Sequence, residues 1–211
     1  FMKEHLYFPD GVRLMNKPAN YTGGNSVRFL RAEQAANFGR EIGLQYVHAH
    51  IRFVEAMAKL GEADEAWTGL EIINPIGIQK VVQNAELRQS NVYFSSSDGK
   101  FNTRYEAQER FNELKIGKVK VKAGWRIYSS GPGIYVNQLI TNVLGIRVKG
   151  KNLIIDPVLP ARLNGLEFGF AINNIPVTFV YHIGGNEVKN VVINGKSMEL
   201  FPVNNPYRNT G

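Results

Sequence analysis

From Ser26 to about Ile73 the apolar residues recur three and four apart: Phe29, Ala32 and Ala36, then Leu44, Val47, Ile51, Val54 and Ala58, and beyond Gly61, Trp67, Leu70 and Ile73. This spacing lines one face of a helix and predicts two or three antiparallel helices. "LGEAD" supplies a glycine turn and an acidic start for the next helix. "INPIG" (Ile73 to Gly77) ends the region.

From Gln79 to Gly131 the pattern breaks into short extended pieces, "VYF" and "KVKV", with one short helix at Arg104 to Leu114. Ordered irregular segments of this length commonly carry function. "IYVNQLITNVLG" (Ile134 to Gly145) then reads as a helix that buries Leu139, Ile140, Val143 and Leu144 and stops at Gly145. After it come short, β-branched, partly alternating runs divided by turns such as "VKGK" and "INGK". The expected class is α+β: helices, a loop-rich connector, then an all-β domain resembling a sandwich. The expected boundary separates residues 1–145 from residues 146–211.

With 211 residues, 44% hydrophobic and 11% aromatic, the chain can bury a core. No run approaches the roughly 18 apolar residues of a membrane span, and the first residues lack a secretory pattern. There is no cysteine, which excludes disulfides and thiolate chemistry and makes the cytoplasm the expected compartment. A net charge of +7 can serve RNA, phosphate-bearing ligands or an acidic partner, but the basic residues are scattered. The one dense run, "KIGKVKVK" (Lys115 to Lys122), reads as the solvated face of a strand, so neither nucleic acid nor membrane is an expected partner. Both ends read as cut from something larger.

Four stretches bear on chemistry. His48 and His50 lie two apart on a helix, about 200° around it, so they cannot share a metal as an i, i+4 pair does; no metal site is expected. His48 is open between a satisfied core histidine and a ligand contact. Glu33, Glu41, Glu55 and Asp98 carry no local mark of a general acid. "YSSGPGIY" (Tyr128 to Tyr135) offers hydroxyls, glycines and a helix start to an anion, yet it lacks the lysine of a phosphate loop, and its local chemistry reads as a helix-entry turn before it reads as an anion cradle. "LRQSNVYFSSSD" (Leu87 to Asp98) suits sugar recognition, or a loop held by its own hydrogen bonds.

"REIGLQYVHAH", "INPIG", "RQSNVYFSSSD", "GWRIYSSGPGIY" and "LGIR…LIIDPVLP…LNGLEF", in this order, resemble the inverting β-glucan phosphorylases of glycoside hydrolase family 94 over essentially the whole chain. The "LGIR…IDP" hallmark is similar to cellobiose phosphorylases. The serine-rich "YFSSSD" and "YSSGPG" are similar to the members that act on β-1,2-glucans. The resemblance implies the last helices of an (α/α)6 barrel followed by the β-rich C-terminal domain. It implies attack of inorganic phosphate on the anomeric carbon of a β-glucoside, with α-glucose 1-phosphate formed by inversion and no cofactor beyond that co-substrate.

The same resemblance carries phosphate binding onto His48, Ser130 and Gly131, with Ser129 as substitute if the register slips by one. Sugar contact falls on Arg40, where some members have lysine, and on Gln89. The aspartic acid that protonates the departing sugar falls upstream of the matched region, so the isolated chain is expected to be inactive and to need the rest of the enzyme as partner, with a homodimer implied. The alternative is a non-catalytic carbohydrate-binding or structural module of the same descent.

Overall fold

The computed structural model describes residues 1–17, 20, 44–89, 94–124, 130–185, 187–202 and 205–208, with Ser130 described in its backbone alone. The chain divides into two compact units, Phe1–Val54 with Thr68–Val136, and Glu55–Trp67 with Asn137–Gly211.

In the first unit a short helix α1 (Met2–His5) leads into the hairpin of β1 (Tyr7–Phe8) and β2 (Gly11–Val12). Strand β3 (Gln45–Tyr46) precedes helix α2 (Val47–Leu60). Leu44, expected on the helix, therefore lies before it. Its two successors pair with β4 (Ser96–Gly99), Gln45 opposite Ser97 and Tyr46 opposite Ser96, and that ladder takes up backbone groups a longer helix would need. Helix α3 (Ala63–Ile72) follows the Gly61 turn, as the "LGEAD" pattern predicts.

Helix α4 (Arg104–Lys115) coincides with the expected short helix. Thr103 caps it: its hydroxyl accepts from the Glu106 N–H at 3.1 Å, and the Glu106 carboxylate accepts from the Asn102 N–H at 2.8 Å. Two donors of the first turn region are thus satisfied reciprocally.

Strand β5 (Val121–Gly124) completes an antiparallel sheet of order β3-β4-β5. Val119 and Val121 are buried while Lys120 and Lys122 are exposed, the one-sided solvation read from "KVKVK". Val47, Ile51, Phe94, Phe111, Leu114 and Val121 form the centre of the core beneath. Helix α5 (Ser130–Gln138) starts earlier than the expected Ile134, so Ser130 and Gly131 belong to its first turn. Pro132 is tolerated there because a first-turn N–H has no helical partner to lose.

In the second unit α5 runs on into a π-turn over Leu139–Val143, with the Leu144 N–H donating to the Leu139 carbonyl. The wider turn rotates the buried face. Val143 and Leu144 are buried as expected, but Leu139 and Ile140 are only half-buried and Gln138 is buried instead.

The remaining strands are β6 (Ile146–Lys149), β7 (Asn152–Ile155), β8 (Leu166–Ile172), β9 (Ile175–Tyr181), β10 (Val192–Ile193) and β11 (Lys196–Ser197). Among the described residues they pair as three two-stranded antiparallel ribbons. The β8–β9 and β10–β11 turns place Asn173–Asn174 and Asn194–Gly195 at positive φ, the two-residue geometry that matches strand twist. Helices and small antiparallel sheets make the class α+β.

Candidate functional site

The two histidines of α2 face different surroundings, as their spacing requires. His50 is fully buried: its Nδ1 accepts from the Val12 N–H at 3.0 Å and its Nε2 lies 2.8 Å from the Gly69 carbonyl. Since Nδ1 is an acceptor, Nε2 carries the proton and the ring is neutral. Burial pushes its pKa down to about 4. His50 joins β2, α2 and α3 and serves packing. Gly11 is at φ 117°, and a Cβ there would come within 2.9 Å of both the His50 Nδ1 and the Gln45 amide nitrogen, so glycine lets the hairpin close over the ring.

His48 is half-buried in the first turn of α2, its ring stacked on that of Tyr46 with centroids 5.8 Å apart and planes 12° apart. The stacked tyrosine limits its orientation. The position directly preceding α2 is tied to β4 by the β3 ladder, so the helix start that carries His48 is fixed by the sheet.

Beside this sheet lies a cluster of buried polar groups that the sequence reading did not find. Arg13 makes a two-pronged ion pair with Asp10 at 2.8 and 3.0 Å, its guanidinium 4.7 Å above the Phe8 ring. Arg88 donates through Nη2 to the Ser97 hydroxyl at 3.1 Å and lies 4.8 Å over the Phe94 ring. Burial lowers the Arg88 pKa, opposed by the charges of Asp10, Asp98 and Glu86. The Nε and Nη1 groups of both arginines have no hydrogen-bond partner among the described residues. The available signal was a charge set directly against apolar residues, in "FPDGVR" and "ELRQSN".

Gln89, the expected sugar contact, is exposed on the chain directly after Arg88. Gly131 is buried in the first turn of α5, and the Ser130 side chain lies outside the described residues. Arg40, Ser129, Glu33 and Glu41 also lie outside them. Glu55 pairs with Lys59 at 2.7 Å, one turn along α2. His48, Gln89 and Gly131 all belong to the first unit.

The "LGIR…IIDP" hallmark sits in the second unit and has a structural explanation. Gly145 is at φ 71°, and a Cβ there would lie 2.1 Å from the Asp156 carbonyl carbon. The Asp156 N–H donates to the Gly145 carbonyl at 2.9 Å and the Val158 N–H to the Val143 carbonyl at 2.8 Å. Arg147 holds the Asp156 carboxylate at 2.9 Å, and Arg208 bonds its other oxygen. The Tyr181 hydroxyl donates to the Leu144 carbonyl at 3.0 Å, and burial pushes its pKa up to about 12. The motif is thus a corner that joins the end of the π-turn to the β6–β7 ribbon.

A family model for the glycoside phosphorylase C-terminal domain matches residues 145–211, beginning on this corner. Over 205 residues, 97% of the chain, the sequence is 56% identical to the 1,2-beta-oligoglucan phosphorylase of Listeria innocua. Residues 145–211 thus carry the glycoside phosphorylase C-terminal domain, and nearly the whole chain is similar to a glycoside phosphorylase. It is also 29% identical over 134 residues, 64% of its length, to the cyclic beta-(1,2)-glucan synthase NdvB of Rhizobium meliloti. The chain spans 19% of the length of the first relative and 4% of the second. Among its described residues no helix is long and apolar enough to cross a membrane.

Proposed function

We propose that the chain is the C-terminal portion of an inverting phosphorylase of glycoside hydrolase family 94 that acts on β-1,2-linked glucose oligomers. The identity of 56% to a 1,2-beta-oligoglucan phosphorylase across 97% of the chain carries this reading. Residues 1–145 are the end of an (α/α)6 barrel and residues 146–211 its β-rich C-terminal domain.

In this scheme an oxygen of inorganic phosphate forms the bond to the anomeric carbon as the bond from that carbon to the glucosidic oxygen breaks. The departing oxygen takes a proton from a carboxylic acid supplied by another part of the enzyme. His48, Ser130 and Gly131 hold the phosphate, and Arg40 and Gln89 hold the glucosyl unit. A ring nitrogen, a hydroxyl and a first-turn N–H are complementary to phosphate oxygens. Holding the nucleophile in line supplies much of the rate by positioning and charge stabilisation. The sheet-fixed start of α2, with Tyr46 stacked on His48, supports a role that needs a set ring orientation.

The test is phosphorolysis of a β-1,2-linked glucose oligomer by the full-length enzyme and its His48→Ala variant, with the 211-residue chain alone as control. The wild type is expected to form α-glucose 1-phosphate, the variant to lose roughly 100-fold in kcat/KM for phosphate, and the chain alone to form none. Unchanged phosphorolysis in the variant removes His48 from the site, and turnover by the chain alone removes the external acid.

A further inference from the structure

We propose that Arg88 is the positioning residue for Gln89, acting through the hydroxyl of Ser97, so that one buried contact sets the sugar-binding side chain against the strand that leads to His48. This rests on the phosphorylase reading above for the role of Gln89.

Residues 84–86 run beside β5: the Val121 N–H donates to the Asn84 carbonyl at 3.0 Å, the Glu86 N–H to the Val121 carbonyl at 2.8 Å, and Ala85 bridges Val121. Among the described residues no backbone hydrogen bond carries that ladder on to Gln89. What fixes the next stretch is the Arg88 side chain. It is only 8% exposed, donates to Ser97 at 3.1 Å and lies over the Phe94 ring.

Ser97 is the residue opposite Gln45 in the β3–β4 register, and Gln45 is three residues before His48. A hydrogen bond from Arg88 to Ser97 therefore ties the Gln89 backbone to the strand position paired with the lead-in of α2. An arginine is suited to this because its planar fork can hold one direction through Nη2 while its face lies on an aromatic ring; a lysine has neither property. Burying a guanidinium is costly unless it is used, and the charges of Asp10 and Asp98 nearby lower that cost. Gln89 itself is left exposed, with its carrier fixed from below.

The test uses the full-length enzyme with Ser97→Ala, which removes only the acceptor, Gln89→Ala, and the double variant. Ser97→Ala is expected to raise KM for a β-1,2-linked glucose oligomer roughly tenfold while KM for phosphate stays within about twofold. The double variant is expected to be no worse than Gln89→Ala alone, because a residue that acts through Gln89 has nothing left to act on. Arg88→Lys, which keeps the charge and loses the fork, should reproduce the pattern and serves if Ser97→Ala does not fold.

An unchanged KM for the glucan, an equal rise in both KM values, or an effect that adds in full to that of Gln89→Ala overturns the assignment. Calorimetry with the same oligomer separates the two claims. If the wild type consumes no phosphate but Ser97→Ala still weakens sugar binding tenfold, the phosphorylase reading fails and the positioning role stands.

Discussion

The corner at Gly145 in the second unit holds half-buried charge and the sheet beside His48 in the first holds buried charge, and they pair it differently. At the corner, Asp156 has arginines on both carboxylate oxygens, its N–H is bonded, and Tyr181 caps a nearby carbonyl. Beside the sheet, Arg13 and Arg88 each keep Nε and Nη1 without a partner among the described residues and Gln45 keeps both ends of its amide so, whereas at the corner Arg208 Nε alone is left in this way. A buried polar group left unpaired costs free energy that a folding motif has every reason to avoid. At the corner most of the charge is mutually paired, whereas beside the sheet several buried polar groups lie without a partner among the described residues, close to His48 and Gln89, residues proposed for the site.

The sharpest way to break this comparison is Gly145→Ala. The substitution puts a Cβ on a positive φ and 2.1 Å from the Asp156 backbone, whose N–H is bonded to the Gly145 carbonyl directly beside the β6–β7 ribbon. Destabilisation of about 4 kcal/mol or more is expected from denaturant unfolding. A loss under about 1 kcal/mol would mean that the corner yields and that its motif is kept for some other reason.

The hallmark was legible as a resemblance, yet its physical role was not, because the contact of Gly145 with Asp156 joins residues that no local pattern connects. Helices α3 and α4 and the "KVKVK" face were legible because turn, cap and alternation are local signals. Leu44 was expected on a helix and lies before it because pairing of β3 with β4, some fifty residues away, overrides helical spacing. Arg88 was passed over beside Gln89 for a similar reason: the sequence shows a charge, and only the fold shows that Ser97 and Phe94 enclose it.

Within the first unit the comparison narrows to His50, buried and serving the fold, and His48, half-buried and proposed to hold phosphate. Since the unfolded chain protonates His50 near the ordinary 6.5 and the folded chain only near 4, the unfolded state binds more protons between those values. Stability from this residue is therefore fully present above about pH 6.5 and is lost as pH falls towards 4, by about 3 kcal/mol in all. The difference in unfolding free energy between wild type and His50→Gln, followed from pH 7 to pH 4, should shrink accordingly. A difference that is flat across this window would mean the buried ring is already charged or is not buried in solution.

The smallest effect is expected where the polar groups are exposed and fully paired, at the cap of α4. Thr103→Ala leaves the Glu106 N–H to water and removes one half of a reciprocal pair, while the Asn102 N–H keeps its carboxylate. A loss of about 1 kcal/mol is expected in denaturant unfolding, with KM for phosphate and glucan unchanged. The cap thus calibrates the other two regions. A Thr103→Ala loss as large as that of Gly145→Ala would show that the chain is too marginal for such losses to rank its contacts. A shift in KM would show that α4 couples to the candidate site and is not merely scaffold.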